Sequence, residues 1–165
     1  MLKKIFLFLL AVLIIIQFIH PKRNKANGVQ INYIGIAHAI PSDVHLILEK
    51  ACFDCHSNNT RYPWYFNFQP LDWWLTNHIN EGKRELNFDE FSNRRLRYQY
   101  HKLEETIDQV KENHMPLNSY LWTHKDARLT SNEKSKLISW ATQIMDSMKA
   151  KYPIDSLIRK ESAGR

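Results

Sequence analysis

Cys52-Phe53-Asp54-Cys55-His56 contains the only two cysteines of the 165-residue chain, with a histidine directly after the second. Two thiols at this spacing can each add across a vinyl group of a haem, giving two thioethers. The imidazole that follows then lies beneath the ring, where it can ligate iron. Cys52 and Cys55 are therefore the candidate covalent anchors and His56 the candidate proximal ligand. With both thiols so engaged, no disulfide is possible. A haem-free thiol–disulfide couple is the competing chemistry. It is disfavoured because Asp54 puts an anion beside a thiolate that needs positive charge, and because no βαβ pattern surrounds the motif. A zinc site would need further cysteines or histidines at fitting spacing, and these are scattered.

A second group could face the other side of the iron. In Asn113-His114-Met115-Pro116-Leu117, a thioether stands immediately before a proline that stiffens its loop, and Met/His ligation suits electron transfer. Met115 is the first candidate for the distal position. His114 and His78 are its rivals, and an open or water-bound position is the remaining alternative. Between the motif and His78 the chain is rich in rings. Arg61, Tyr62, Trp64 and Trp74 are candidates for a haem pocket, with Arg61 able to pair with a propionate.

These residues need elements to position them. Pro41-Ser42-Asp43 predicts a helix start with Ser42 as N-cap, and Val44, Ile47, Leu48 and Ala51 make an apolar stripe that runs into the motif. Pro70 to Ile79 reads as a second helix opened by proline. Asn87-Phe88-Asp89-Glu90 resembles a capping box, opening a third helix through Phe91, Leu96, Tyr100, Leu103, Ile107 and Val110. Thr130-Ser131-Asn132-Glu133 is another box. It opens a helix to about Lys151, with Leu137, Ile138, Trp140, Ala141, Ile144, Met145 and Met148 on its apolar face. Val29 to Ile40 fits neither period and reads as a connector lying on the domain.

Four glycines and six prolines argue against a turn-rich β-sandwich and for an all-α domain. The formal charge of +6 allows an acidic protein partner, propionates or anionic lipid. Nucleic acid is excluded as a partner, because no compact basic block is interleaved with an aromatic platform. No nucleophile elbow or paired-carboxylate motif suggests hydrolysis. Met1-Leu-Lys-Lys precedes an apolar run over residues 5–19, the charged and hydrophobic regions of an export signal. Fifteen helical residues span roughly 22 Å, short of a hydrocarbon core of about 30 Å, which suits a cleaved signal. The bulky, basic His20-Pro21-Lys22-Arg23-Asn24-Lys25 that follows is a poor cleavage site, and no lipobox cysteine is present. The reading adopted is a short uncleaved anchor with Lys and Arg snorkelling at both ends; a soluble product after cleavage is the alternative.

The order of helix, C-x-x-C-H, aromatic loop, helices, Met-Pro loop and closing helix resembles the class I cytochrome c arrangement. More closely, residues 43–145 resemble the bacterial haem-binding domain family of small exported mono-haem proteins. The matches are Cys52 to Asn58, Thr60 to Tyr65, Pro70, Trp73-Trp74, His78 to Gly82, Leu86-Asn87-Phe88, Met115-Pro116-Leu117 and the helix from Glu133 to Trp140. The connector from Ala26 to Pro41 departs from that pattern. The resemblance implies one haem c bound through Cys52 and Cys55, with His56 proximal and Met115 distal. Haem of this kind is attached outside the cytoplasm, so the domain is expected in the periplasm. The resulting organisation is an N-terminal signal or anchor over 1–21, a linker over 22–41, a haem-binding domain over 42–152 and a flexible tail over 153–165. An electron-transfer module with a redox partner protein, and no catalytic residues of its own, is the leading function. A haem-based sensor of small ligands is the alternative.

Overall fold

The computed structural model describes residues 1–158, and among these residues it is all-α, with two isolated bridges (Lys25 with Asn59, Asn32 with Glu90) in place of any sheet. The helices are α1 (Leu2–Ile16), α2 (Ile34–Ala37), α3 (Ser42–Ala51), α4 (Phe53–His56), α5 (Leu71–Glu85), α6 (Leu96–Lys111), α7 (Asn118–Leu121), α8 (Ser131–Lys151) and α9 (Ile154–Leu157). Short 3-10 turns over Trp64–Asn67 and Lys125–Ala127 complete the frame.

The core forms where α6 and α3 pack on α8. Leu137, Trp140, Ala141, Ile144, Met145 and Met148 of α8 are buried, at helical spacing, against Val44, Ile47 and Leu48 of α3 and Tyr100, Leu103 and Val110 of α6. The box that opens α8 is present in full. Glu133 N donates to Thr130 Oγ1 at 3.2 Å and Thr130 N to Glu133 Oε2 at 2.9 Å. Two ion pairs fix α3 to the same helix, Lys50 to Glu133 and Lys136 to Asp43, each at 2.6 Å.

Several boundaries differ from the sequence reading. Ser42 is the first helical residue and Pro41 takes the cap position. The second helix runs on past Ile79 to Glu85. The third starts at Leu96, because Asn87-Phe88-Asp89-Glu90 forms no helix cap. Asn87 Oδ1 there accepts from Asp89 N, closing a local turn, and the Asp89 carboxylate accepts from Asn58 N at 2.7 Å. The connector lies on the domain and contributes to it. Ile34 is completely buried, and Trp140 Nε1 of α8 donates to Ala39 O. The start of the expected flexible tail is ordered too, since α9 places Leu157 in the core; residues 159–165 lie outside the described residues.

α1 is a 15-residue helix with no buried residue, and no helix among the described residues is long and apolar enough to cross a membrane. Its C-terminal end is tied to the domain. Gln17 and Gln69 exchange two hydrogen bonds, and Trp73 Nε1 and Gln69 Nε2 both donate to Ile19 O at 2.9 Å. At the centre is Asp72, whose side chain is fully buried. It accepts from His20 Nδ1 at 2.9 Å and Arg23 Nη1 at 3.1 Å, with Gln69 Nε2 and Thr76 Oγ1 completing its shell. Arg23 also stacks over Tyr62, 4.6 Å from the ring centroid. Asp72→Ala removes the shared acceptor and leaves these donors unpaired, a loss of about 1–3 kcal/mol at this joint. Trypsin should then cleave at Lys22, Arg23 or Lys25 well before the body of the domain, whereas the wild-type joint resists.

Candidate functional site

α3 ends at Ala51, the φ of −127° at Cys52 breaks the helix, and α4 restarts it for a single turn. Cys55 N and His56 N both donate back to Cys52 O, at 3.2 and 2.9 Å. The loop between α5 and α6 then grips the end of that turn. His56 Nδ1 lies 2.9 Å from Leu86 O, and Phe88 N donates to His56 O at 2.8 Å. A carbonyl can only accept, so the proton sits on Nδ1 and Nε2 carries the lone pair. Burial lowers the His56 pKa, opposed in part by the bond to Leu86, and favours the neutral imidazole that a metal ligand requires. Asn87 and Asp89 in the same loop hold Asn58, just past the motif.

α5 closes the other side. Gly82 approaches the motif so tightly that a Cβ there would lie 2.8 Å from Cys55 O and 3.1 Å from Cys55 Cβ. α6 ends at Lys111 with Glu112 as its cap, and Asn113 turns the chain with a φ of 62°, a left-handed position that asparagine tolerates. His114 N and Met115 N both donate to Gln109 O. This turn brings Met115 back over the motif.

Two adjoining cavities lie between these elements. One of about 280 Å³ is lined by Cys52, His56, Leu86, Phe88, Val110 and Met115 among others. The second, of about 330 Å³, is lined by Cys52, Cys55, His56, His78, Gly82, Met115 and Tyr120 among others. Both are within or near the range of small-ligand sites, and they share Cys52, His56 and Met115. The two thiols, an imidazole with its lone pair on Nε2, a thioether and apolar walls thus face one space. That donor set fits a haem: thiols for thioethers, His56 and Met115 for iron. His78 also reaches the second cavity, with its Nδ1 buried and without a hydrogen-bond partner.

The other predicted residues separate. His114 lies on the surface, 3.2 Å from Glu112, and lines neither cavity. Arg61 and Trp74 line a small neighbouring pocket of about 30 Å³. The Arg61 side chain is committed to Asp54 Oδ1 (3.3 Å) and Glu49 O (2.8 Å), and Trp74 packs on His78 with ring centroids 4.5 Å apart. Tyr62 and Trp64 line neither large cavity. The Tyr62 hydroxyl accepts from Asn24 N, and Trp64 is 74% exposed.

Sequence reasoning missed Asp54 and Tyr120 as supports. Asp54 is buried, accepts from Arg61 N and Nε through Oδ1, and accepts from the Tyr120 hydroxyl at 2.8 Å through Oδ2. Burial and the Asp54 charge raise the Tyr120 pKa, so the phenol stays a donor. The contact joins α4 to α7, just beyond Met115-Pro116-Leu117. Burial, helped by Cys55 at Cys52 and by Asp54 at Cys55, pushes both thiols up to about 12. Neither is a ready nucleophile near neutral pH, which weakens the thiol–disulfide reading.

Compared with protein families, the chain matches the haem-binding domain over residues 11–143. The protein belongs to the haem-binding domain family. Comparison with curated proteins and with solved structures gave no match. The match begins inside α1 and runs through Ala26 to Pro41, so the connector that departed from the resemblance is part of the haem-binding domain. The joint around Asp72 and the grip on His56 both fall within it.

A test of this packing is Gly82→Ala. Alanine gains about 1 kcal/mol of helix propensity, but its methyl meets the Cys55 carbonyl at overlap distance. The backbone must shift, and such overpacking costs about 1–3 kcal/mol. The variant should show a lower denaturation midpoint than wild type, where propensity alone would raise it.

Proposed function

We propose that this haem-binding protein carries one haem c, bound by thioethers from Cys52 and Cys55 with His56 as proximal and Met115 as distal ligand. It serves as a membrane-anchored, cytochrome c-like electron-transfer module in the periplasm. One observation carries the reading: both thiols, His56 and Met115 meet at two adjoining cavities while the Leu86 carbonyl keeps the His56 lone pair on Nε2. When bound, the cofactor supplies reversible one-electron chemistry at iron.

The residues of the chain account for the rest. Leu86 O keeps the proton on Nδ1, so His56 binds as a neutral ligand of fixed orientation. The left-handed turn at Asn113 and the bonds to Gln109 O place Met115. Ala51, Leu86, Phe88 and Val110 give the first cavity an apolar wall. α1, apolar along its length and basic at Lys3 and Lys4, is the anchor, and Lys22 and Lys25 flank its other end. A redox partner protein exchanges electrons with the domain.

A second reading is favoured by one feature. His78 lines the second cavity together with Met115, a polar ring of the kind a sensor would require to orient a small diatomic ligand.

Protein matured in a host with haem-attachment machinery should have an intact mass raised by one haem and the haemochrome spectrum of a thioether-linked group. A mass without haem would sink the proposal. Met115→Ala should change the ferric spectrum and admit carbon monoxide, which the reduced wild type excludes. Rapid carbon monoxide binding by wild type would favour the sensor reading instead.

A further inference from the structure

An unusual group of exposed rings surrounds the joint between α1 and the domain. Trp64 is 74% and Phe68 53% exposed, and Phe18, Leu71 and Trp73 are also open to solvent. Each is tied to the joint. Phe68 precedes Gln69, which exchanges hydrogen bonds with Gln17; Leu71 precedes Asp72, which holds His20 and Arg23. Trp73 donates to Ile19 O, and Trp64 packs edge-on against Phe68 with centroids 5.9 Å apart. Isolated exposed apolar residues need no explanation, but this many within one short segment, beside the end of a wholly exposed apolar helix, mark a contact surface.

We infer that Trp64, Phe68, Leu71 and Trp73 are a lipid-docking surface, seating the domain in the bilayer interface around the emerging end of α1. This rests on the reading of α1 as a membrane anchor. Continuity identifies the occupant as lipid: the apolar helix leaves the domain from within the patch. Length strengthens the argument. The 15 residues of α1 reach roughly 22 Å, against about 30 Å of hydrocarbon. A helix that short draws whatever is rigidly fixed to its end down towards the acyl chains. The joint is rigid, through six hydrogen bonds and ion pairs described above, so residues 64–73 are drawn with it. Tryptophan and phenylalanine are there, and tryptophan in particular favours the membrane–water interface. The mismatch that argues against a simple span is met by the domain itself sitting low in the membrane.

The full chain, haem-loaded, in phosphatidylcholine nanodiscs containing a lipid with a photoreactive acyl chain provides the test. After irradiation, peptide mapping should find lipid adducts on α1 and on peptides covering Trp64, Phe68 and Trp73. The double variant Trp64→Asp/Phe68→Asp should lose the adducts over 64–73 and keep those on α1. Both side chains are exposed, so its haem spectrum and thermal midpoint should match wild type. Adducts confined to α1 in wild type would overturn the docking surface and leave the anchor standing. If that pattern came with a dimeric mass in detergent, the patch would belong to a second copy. Adducts on neither segment would overturn the anchor and the docking surface together.

Discussion

The site depends on the double tether of His56. Its side chain is held by Leu86 O and its main chain by Phe88 N, so two bonds from one loop fix both the ring and the backbone that carries it. Thiols alone would leave a single helical turn free to rotate about the end of α3. The loop in turn is held by buried Leu86, Phe88 and Phe91, and by Ile34 N donating to Phe88 O. The connector therefore stabilises His56 at second hand: Ile34 holds Phe88, and Phe88 holds His56. That chain of contacts gives a physical reason for the family match to extend back through the connector.

α5 links the two functional ends of the molecule. Asp72, in its first turn, gathers the residues that follow α1; Gly82, near its last, lies against Cys55. Ten residues of α-helix separate them, about 15 Å of rigid rod. The position of the cavity relative to the end of α1 is thus set by one helix and two close contacts, with no flexible link between them. A domain built in this way holds its cavities in a fixed orientation relative to the end of α1.

What was legible in the sequence was what local pattern decides. The Thr130–Glu133 box is complete within four residues and is found as read. The apolar stripes of α3 and α8 are buried as their spacing demands. The turn that carries Met115 is local too, since His114 N and Met115 N both donate to Gln109 O a few residues back. The failures were long-range. Asn87 to Glu90 has the letters of a helix cap, but Asp89 is used by Asn58, 31 residues away. Tyr120 meets Asp54 across 66 residues, and nothing in either neighbourhood signals it. The rings after the motif announce apolar area without saying what it faces. Trp74 stands beside His78, while Trp64 and Phe68 turn outward by the joint.

Helical geometry explains why an acid stands between the two cysteines. At about 100° per residue, positions 52, 55 and 56 fall on one arc of a turn and positions 53 and 54 on the opposite side. The structure uses both sides. Phe53 packs edge-on against Tyr33, His45 and Phe88, and Asp54 receives Arg61 and Tyr120. One intervening residue is thus an apolar anchor and the other a polar one, and between them they fix the turn: Phe53 among rings, Asp54 at the edge of the second cavity beside Tyr120. A buried carboxylate is unfavourable unless its oxygens are satisfied, and here the guanidinium, a backbone N–H and a phenol satisfy them. As a neighbour of a reactive thiolate Asp54 would be a handicap. As a support of the turn it is well used, because its charge is met by Arg61 and its second oxygen by the Tyr120 hydroxyl.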